Sequence, residues 1–480
     1  MTRRIPLMVP GAKPGPKPLE VTAPYDGIPI ATVETADPAA AERALDTAHT
    51  LFRSRDRWLK PYERIGVLER AAALMERRAE ELALEAAREG GKPLVDSRVE
   101  VARAIDGVRL CVHHLRTRAG EEIPMGVNPA SAGRLAFTRH EPIGVVVAFS
   151  AFNHPLNLIV HQVGPAVATG CPVIVKPSEG TPVSAFLFVE ILREAGLPAE
   201  WCQALAVSDL EVAGAVVADP RVGFFTFIGS AQVGWTLRSR LAPGTRCALE
   251  HGGAAPVIVA ADAELGDALP LLAKGGLYHA GQVCVSVQRV FAQERIAREV
   301  AEGLAEIAAG MRVGDPTLAE TDVGPLIRPA EVARVDEWIR EAREGGAETL
   351  TGGRPASERC YEPTVLFDPA RDARVSTREI FGPVICVYPY GDLDDALAAA
   401  NSLPFAFQAA VFSRNLDTAV RAASRLDASA VMINDHTAFR VDWMPFAGLR
   451  QSGLGVGGIP YTMRDMEIEK LIVLRSGELV

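Results

Sequence analysis

From residue 143 onward the chain alternates between continuous apolar runs and helical stretches, and this alternation limits the possible folds more than any other feature. The runs are 143–149, 172–175, 203–207 and 222–227; between them lie helical stretches at 156–169, 181–195 and 209–218. A run without polar alternation suits a strand buried on both faces, and a helix between successive strands is the crossover that parallel pairing needs. The pattern therefore predicts a doubly wound parallel α/β sheet. Ligands of such sheets bind beyond the carboxyl ends of the strands. The residues that directly follow each run are the first to read for chemistry.

A second α/β unit follows from about 252 to the 430s, with strands expected near 256–259, 290–292, 384–388, 409–412 and 430–433. Ahead of the first run, residues 1 to about 36 are Pro-rich and extended. Asp37-Pro38 then opens a helix, with Asp as N-cap and Pro in the first turn. Two long amphipathic helices are predicted at 62–89 and 94–118, punctuated by Gly90-Gly91 and Pro93. Their Arg and Glu residues at i, i+4 spacing read as a solvated face. Residues 134–140 form a polar ribbon, for which the C-terminal strand 471–474 is a candidate partner.

Composition narrows the function. The chain has 480 residues, too many for one core, and a formal net charge of −10. That charge disfavours nucleic acid or an anionic membrane as partner. No apolar run reaches the length needed to span a bilayer, and the first residues show no secretory pattern. The seven cysteines, at 111, 171, 202, 247, 284, 360 and 386, form no CxxC pair and are odd in number. No metal site and no disulfide framework are expected, and the chain reads as a reduced, cytoplasmic protein.

Six stretches carry candidate chemistry. Cys284, in His279-Ala280-Gly281-Gln282-Val283-Cys284, sits where a Gly-punctuated segment gives way to alternating valines. A thiol there is either a small buried hydrophobe or a nucleophile at the floor of a cleft. Asn153 follows the first run and offers amide donors for an oxyanion, or a cap for the next helix. Lys176 and Glu179 follow the second run, and read either as a grip on ribose hydroxyls or as a surface ion pair. Gly229-Ser230 opens a helix after the fourth run, where a pyrophosphate fits, although no Gly-x-Gly-x-x-Gly is present. Glu250, beside His251-Gly252-Gly253 at the junction of the two units, reads as a general base or as a solvated helix-terminal residue. Glu379 and Phe381 precede a strand of the second unit, where a Glu could hold a ribose while Phe381 packs beneath a ring.

Taken together, these stretches resemble one family. With AGQVC at 280–284, KPSE at 176–179, FIGS at 227–230, LEHGG at 249–253, EIFGP at 379–383 and PFAG…SG at 445–453, the chain resembles the aldehyde dehydrogenases over essentially its whole length. The segment 439–446 is similar to that of lactaldehyde dehydrogenases and of dehydrogenases acting on phosphonate- or phosphate-bearing aldehydes. The resemblance implies a Rossmann-like NAD-binding domain (1–120 and 143–251), a catalytic domain (252–461) and a β-ribbon for oligomerisation (121–142 and 462–480). It implies Cys284 as nucleophile, Glu250 as general base, and Asn153 with the Cys284 N–H as oxyanion donors. Lys176 and Glu179 would face the adenosine ribose, Gly229 and Ser230 the pyrophosphate, and Glu379 and Phe381 the nicotinamide ribose.

Three positions depart from the family pattern: His279 for a frequent Asn, His251 for Leu, and Gly455-Val456-Gly457 where Gly-Arg-Glu is common. The last removes a carboxylate that can sit near the catalytic Glu. The cofactor expected is NAD, since Glu179 would repel a 2′-phosphate, with NADP used by some relatives that carry Glu here. His154 and Arg440 are the expected substrate contacts. Arg440 either meets an anionic head group or ties its loop to Asp442 or Asp435. The activity implied is CoA-independent oxidation of a small polar or anionic aldehyde by a homodimer or homotetramer. The alternatives are an acylating, CoA-dependent enzyme, or a binding protein that kept the fold without the activity.

Overall fold

The computed structural model describes residues 2–479. Met1 and Val480, which the sequence grouping takes into the first unit and the ribbon, lie outside the described residues. The first sheet has six strands in the spatial order Gly453–Leu454, Arg246–Glu250, Val222–Ile228, Val145–Phe149, Val173–Lys176, Cys202–Ala204. All neighbours pair in parallel except the antiparallel Gly453–Leu454 edge. The chain runs outward from Val145–Phe149 on one side and then returns to fill the other. The strand order therefore reverses between Val145–Phe149 and Val222–Ile228, where an open sheet leaves a crevice for ligands. Val145, Val146, Val147 and Ala148 are fully buried, as a strand covered by helices on both faces requires.

The second sheet has seven strands, ordered Glu348–Thr351, Thr364–Phe367, Val384–Tyr390, Val287–Gln293, Ala255–Val259, Gln408–Phe412, Ala430–Ile433. Only Glu348–Thr351 runs antiparallel. Each sheet is packed on both faces by apolar side chains, so each unit has its own core. A three-stranded ribbon pairs Arg134–Pro142 with Glu467–Arg475 in unbroken antiparallel register, with Glu122–Ile123 as its third strand.

The expected elements recur with end shifts of up to four residues, the largest at the C-terminal strand Glu467–Arg475, and three differences stand out. The helix predicted at 62–89 is two, Pro61–Arg77 and Ala79–Gly90, broken at Arg78, whose backbone (φ −108°, ψ 14°) leaves the helical region. The strands Glu348–Thr351 and Thr364–Phe367 went unread because each has only four residues, and the first is mostly polar. After 449 the chain returns to the first unit. Gly453–Leu454 joins its sheet, and Ile459, Met463 and Met466 pack in its core. Burial of those apolar side chains draws the segment there.

Candidate active site

A cleft of about 1300 Å³ runs between the two units from Lys176 and Glu179, past Gly229 and Ser230, to Cys284 and Arg440. It lies at the carboxyl ends of the first sheet's strands, over the point where the strand order reverses.

Cys284 is presented by a strained turn. The helix Leu265–Leu277 ends in a tight turn, Tyr278–Gly281, in which His279, Ala280 and Gly281 take positive φ of 49°, 53° and 68°. Three successive left-handed residues persist only where surroundings over-determine them. Gly281 is obligatory, because a Cβ there would strike the Gly382 carbonyl. Gln282 anchors the end of the turn. Its Nε2 donates to the Pro325 carbonyl at 3.2 Å, and its Oε1 accepts from the Ile327 N–H at 2.9 Å. Val283 and Val285 on either side of Cys284 are buried against Phe407 and Phe446, which leaves the thiol on the cleft floor.

Asn153 is buried and its Nδ2 donates to the Gln282 carbonyl at 2.9 Å. That bond uses one of two amide hydrogens and leaves the other free, in a residue that lines the cleft. The cap reading of Asn153 does not hold, because the following helix, Asn157–Thr169, has Leu156 at its N-cap. Glu250 ends its strand opposite Gly453 and lines the same cleft. Burial raises the Glu250 pKa, with the Arg440 charge opposing. Burial likewise pushes the Cys284 thiol up to about 12; Arg440 draws it down, while Glu250 and Glu379 add to the rise. The resting thiol is therefore protonated and needs a base before it can attack.

At the other end of the cleft, burial lowers the Lys176 pKa while Glu179 opposes, their charged atoms 3.9 Å apart. So long a contact leaves both groups free to turn to a ligand. Ser230 is exposed at the N-cap of Ala231–Arg238 and makes no side-chain capping bond, so the helix start is open to an anion. Gly229 and Gly234 leave no room for a side chain, the first against the Phe227 ring and the second against the Phe227 and His251 rings. Of the two, Gly229 lines the cleft and presents bare backbone there for a pyrophosphate. Glu379 folds over Gly252-Gly253 and accepts the Gly253 N–H at 3.1 Å. Burial pushes the Glu379 carboxyl up to about 8, against that hydrogen bond. Phe381, at φ 48°, meets Phe152 edge-on at 5.8 Å between ring centroids.

The substrate end holds the largest departures from expectation. Arg440 does not tie its loop to Asp442 or Asp435. Asp442 is taken by Arg103, through Nε at 3.1 Å and Nη2 at 2.6 Å, and by His161 Nε2 at 2.7 Å. Burial works against the Asp442 charge, but His161 and Arg103 hold its pKa well below the usual range. Arg440 instead lies over the Phe446 ring, its Cζ 3.5 Å from the centroid, with Nη2 3.4 Å from His161 Nδ1. Its Nε is buried without a partner, and it makes no ion pair with any described residue. His154 is buried on the cleft wall, and its Nε2 lies 2.9 Å from the Tyr278 hydroxyl. Burial, then the Lys92 charge, keeps the His154 pKa well below normal, so the ring is neutral.

Arg103, His161 and Tyr278 were missed from sequence, and Asp442 was read only as a candidate partner of Arg440. Arg103 lies on Leu94–Thr117, a helix read as presenting a solvated face, yet its guanidinium turns inward to the cleft. That helix also carries Glu100, which is fully buried in an ion pair with Lys92. Only His161-Gln162, two polar residues inside the otherwise apolar Asn157–Thr169, signalled a buried polar network.

Comparison with known proteins agrees with this architecture. The sequence pattern of the Aldehyde dehydrogenase family matches residues 11–472. A 3-sulfolactaldehyde dehydrogenase of Priestia aryabhattai is 36% identical over 456 residues, covering 95% of this chain and 94% of its own. Aldehyde dehydrogenase 21 of Physcomitrella patens, solved with its reaction product succinate, superposes with a TM-score of 0.95 at 34% identity, covering 100% of both chains. A glyceraldehyde-3-phosphate dehydrogenase of Methanocaldococcus jannaschii, solved with NADP, gives a TM-score of 0.91 at 32% identity, covering 97% of this chain and 100% of its own. The chain belongs to the aldehyde dehydrogenase family. It is an NAD(P)-dependent oxidoreductase that acts on an aldehyde.

Proposed function

We propose that this enzyme oxidises a small anionic aldehyde to its carboxylate through a covalent intermediate on Cys284. The observation that carries the substrate class is Arg440: a guanidinium on the cleft wall, stacked on Phe446, with no carboxylate of its own. An unpaired charge beside a cleft is costly unless a ligand compensates it, and a planar fork suits a carboxylate, sulfonate or phosphate. Arg103 adds a second positive charge beside it, partly neutralised by Asp442. The printed substrate or product of each relative compared above bears an anionic group, which supports the same reading.

Cys284 Sγ attacks the aldehyde carbon as its proton passes to water in the cleft, giving a thiohemiacetal, and Glu250 stays ionised for the hydrolytic step. Asn153 Nδ2 and the Cys284 N–H donate to the resulting oxyanion. Collapse of that oxyanion expels a hydride and leaves a thioester on Cys284. The nicotinamide, when bound, supplies the hydride acceptor. Water then attacks the thioester, its proton passing to Glu250 as the C–S bond breaks and the carboxylate is released. Lys176, Glu179, Gly229, Ser230, Glu379 and Phe381 hold the dinucleotide, with Lys176 and Glu179 on the adenosine ribose, so NAD is preferred over NADP. His154, neutral and fixed by Tyr278, forms part of the substrate wall.

The division of labour that fits is cofactor binding by 1–120 and 143–251 with the returning segment 449–466 packed on it, catalysis by 252–448, and oligomerisation by 121–142 with 467–479. Exposed Leu471, Val473 and Leu474 on the ribbon support assembly into a homodimer or homotetramer. Among the described residues no helix is long and apolar enough to cross a membrane. A cytoplasmic location fits the seven free cysteines. The test is NADH formation with paired anionic and neutral aldehydes, with and without CoA. A preference for long aliphatic aldehydes would refute the anionic pocket, and a requirement for CoA would refute hydrolysis.

A further inference from the structure

Gly457 lies just beyond the short strand Gly453–Leu454 and forms an antiparallel bridge with Phe446. Its N–H donates to the Phe446 carbonyl at 2.6 Å, and its carbonyl accepts the Phe446 N–H at 3.0 Å. Gly457 is buried, and its φ lies outside the left-handed range. Backbone conformation therefore does not demand glycine here. Glu250 does. A Cβ on residue 457 would collide with Glu250 Oε1, the closest atom by far, and would stand 3.0 Å from Glu250 Cδ and from the Phe446 carbonyl oxygen. The Glu250 carboxylate occupies the volume that any side chain at 457 would fill.

We propose that Gly457 is a positioning residue for the general base: it leaves the niche that seats the Glu250 carboxylate, and a side chain at 457 expels that carboxylate into the cleft. The proposal rests on the reading of Glu250 as the base. Two charged or titratable groups act on Glu250 among the described residues: Arg440 from the loop ahead of Phe446, and Cys284 from the strained turn. The bridge partner, Phe446, contributes only backbone and an aromatic ring. In the niche, burial raises the Glu250 pKa against the pull of Arg440. Moved into the open cleft, the carboxylate regains solvent, its pKa falls, and it loses its line on the water that attacks the thioester. General-base action depends on hydrogen-bond reach to that water, so a displacement of about 1 Å costs up to about a hundredfold in rate.

The test uses Gly457→Ala, Glu250→Ala, Glu250→Gln and the double variant Gly457→Ala/Glu250→Ala in the full-length enzyme. Gly457→Ala is expected to lower Tm, and most of that loss should disappear in the Glu250→Ala background, where only the tight contact with the Phe446 carbonyl remains. It should retain a pre-steady-state burst of NADH, lose at least about tenfold in steady-state turnover, and shift the acid limb of kcat to lower pH. An equal Tm loss in both backgrounds, or native turnover with an unmoved acid limb, would overturn the proposal. If Gly457→Ala alone does not fold, a folded double variant supports the niche, and failure of both overturns it. Native turnover in Glu250→Gln would overturn the base assignment itself. That result is separate from the niche, which the Tm comparison decides.

Discussion

Arg103 and Asp442 form a two-pronged ion pair across 339 residues of sequence, with Nε–Oδ2 at 3.1 Å and Nη2–Oδ1 at 2.6 Å. This pair joins the helix Leu94–Thr117 to the substrate loop. It also settles the state of Arg440. With Asp442 fully occupied by Arg103 and His161, the neighbouring guanidinium makes no ion pair among the described residues and feels the Glu250 carboxylate only at longer range.

Arg440→Leu should therefore raise KM for an anionic aldehyde by about tenfold to a hundredfold, the worth of a charge-assisted hydrogen bond pair. KM for propanal should change little. Paired steady-state kinetics on the two substrates checks this. Equal effects on both would assign Arg440 a purely structural role.

Asp442→Asn should cost about 2–3 kcal/mol of stability, less than a wholly buried pair because Arg103 remains partly exposed. The Asp442 pKa is held down in the folded state, so its contribution is present above the unfolded value of about 3.9 and is lost as pH falls below it. Denaturant unfolding of both proteins should show a constant gap at neutral pH that closes in acid. A gap that grows on acidification would contradict this sign.

Cys284→Ala should abolish NADH formation while NAD binding persists, as read by tryptophan fluorescence or calorimetry. Glu250→Gln should keep a burst of NADH and lose turnover by about a hundredfold or more. In the native enzyme kcat should fall on the acid side at a pH above the ordinary carboxylate range, because burial raises the Glu250 pKa. An acid limb at about pH 4 or below would place the base elsewhere.

Glu179→Gln should narrow the preference for NAD by improving kcat/KM with NADP severalfold, since it removes a charge close to where a 2′-phosphate would lie. Lys176→Ala should weaken both cofactors together. A native enzyme that already prefers NADP would refute the role given to Glu179.

Sequence reading reached far where structure follows from local chemistry. Strands buried on both faces read as unbroken apolar runs, so Val145–Phe149 and Val222–Ile228 were visible within one or two residues. Asp37 caps its helix as its side chain requires, accepting from the Ala40 N–H at 2.8 Å. The stretches around Asn153, Lys176, Gly229, Glu250, Cys284 and Glu379 were recognisable because each couples a strand end or turn to a polar or reactive side chain or, at Gly229, to open backbone, and the structure gathers all of them along one cleft.

The amino-acid sequence determined by itself the alternation that builds two parallel sheets and the chemical identity of the groups at their ends. Periodicity and side-chain type are properties of neighbouring residues, and neighbours suffice to read them. The tertiary structure alone decided which charges meet. It turned Arg103 from a helix face read as solvated onto Asp442, left Arg440 unpaired above Phe446, and packed Gly457 against Glu250. Each of these depends on where segments far apart in sequence come to rest when their apolar faces are buried, and no local pattern records that distance.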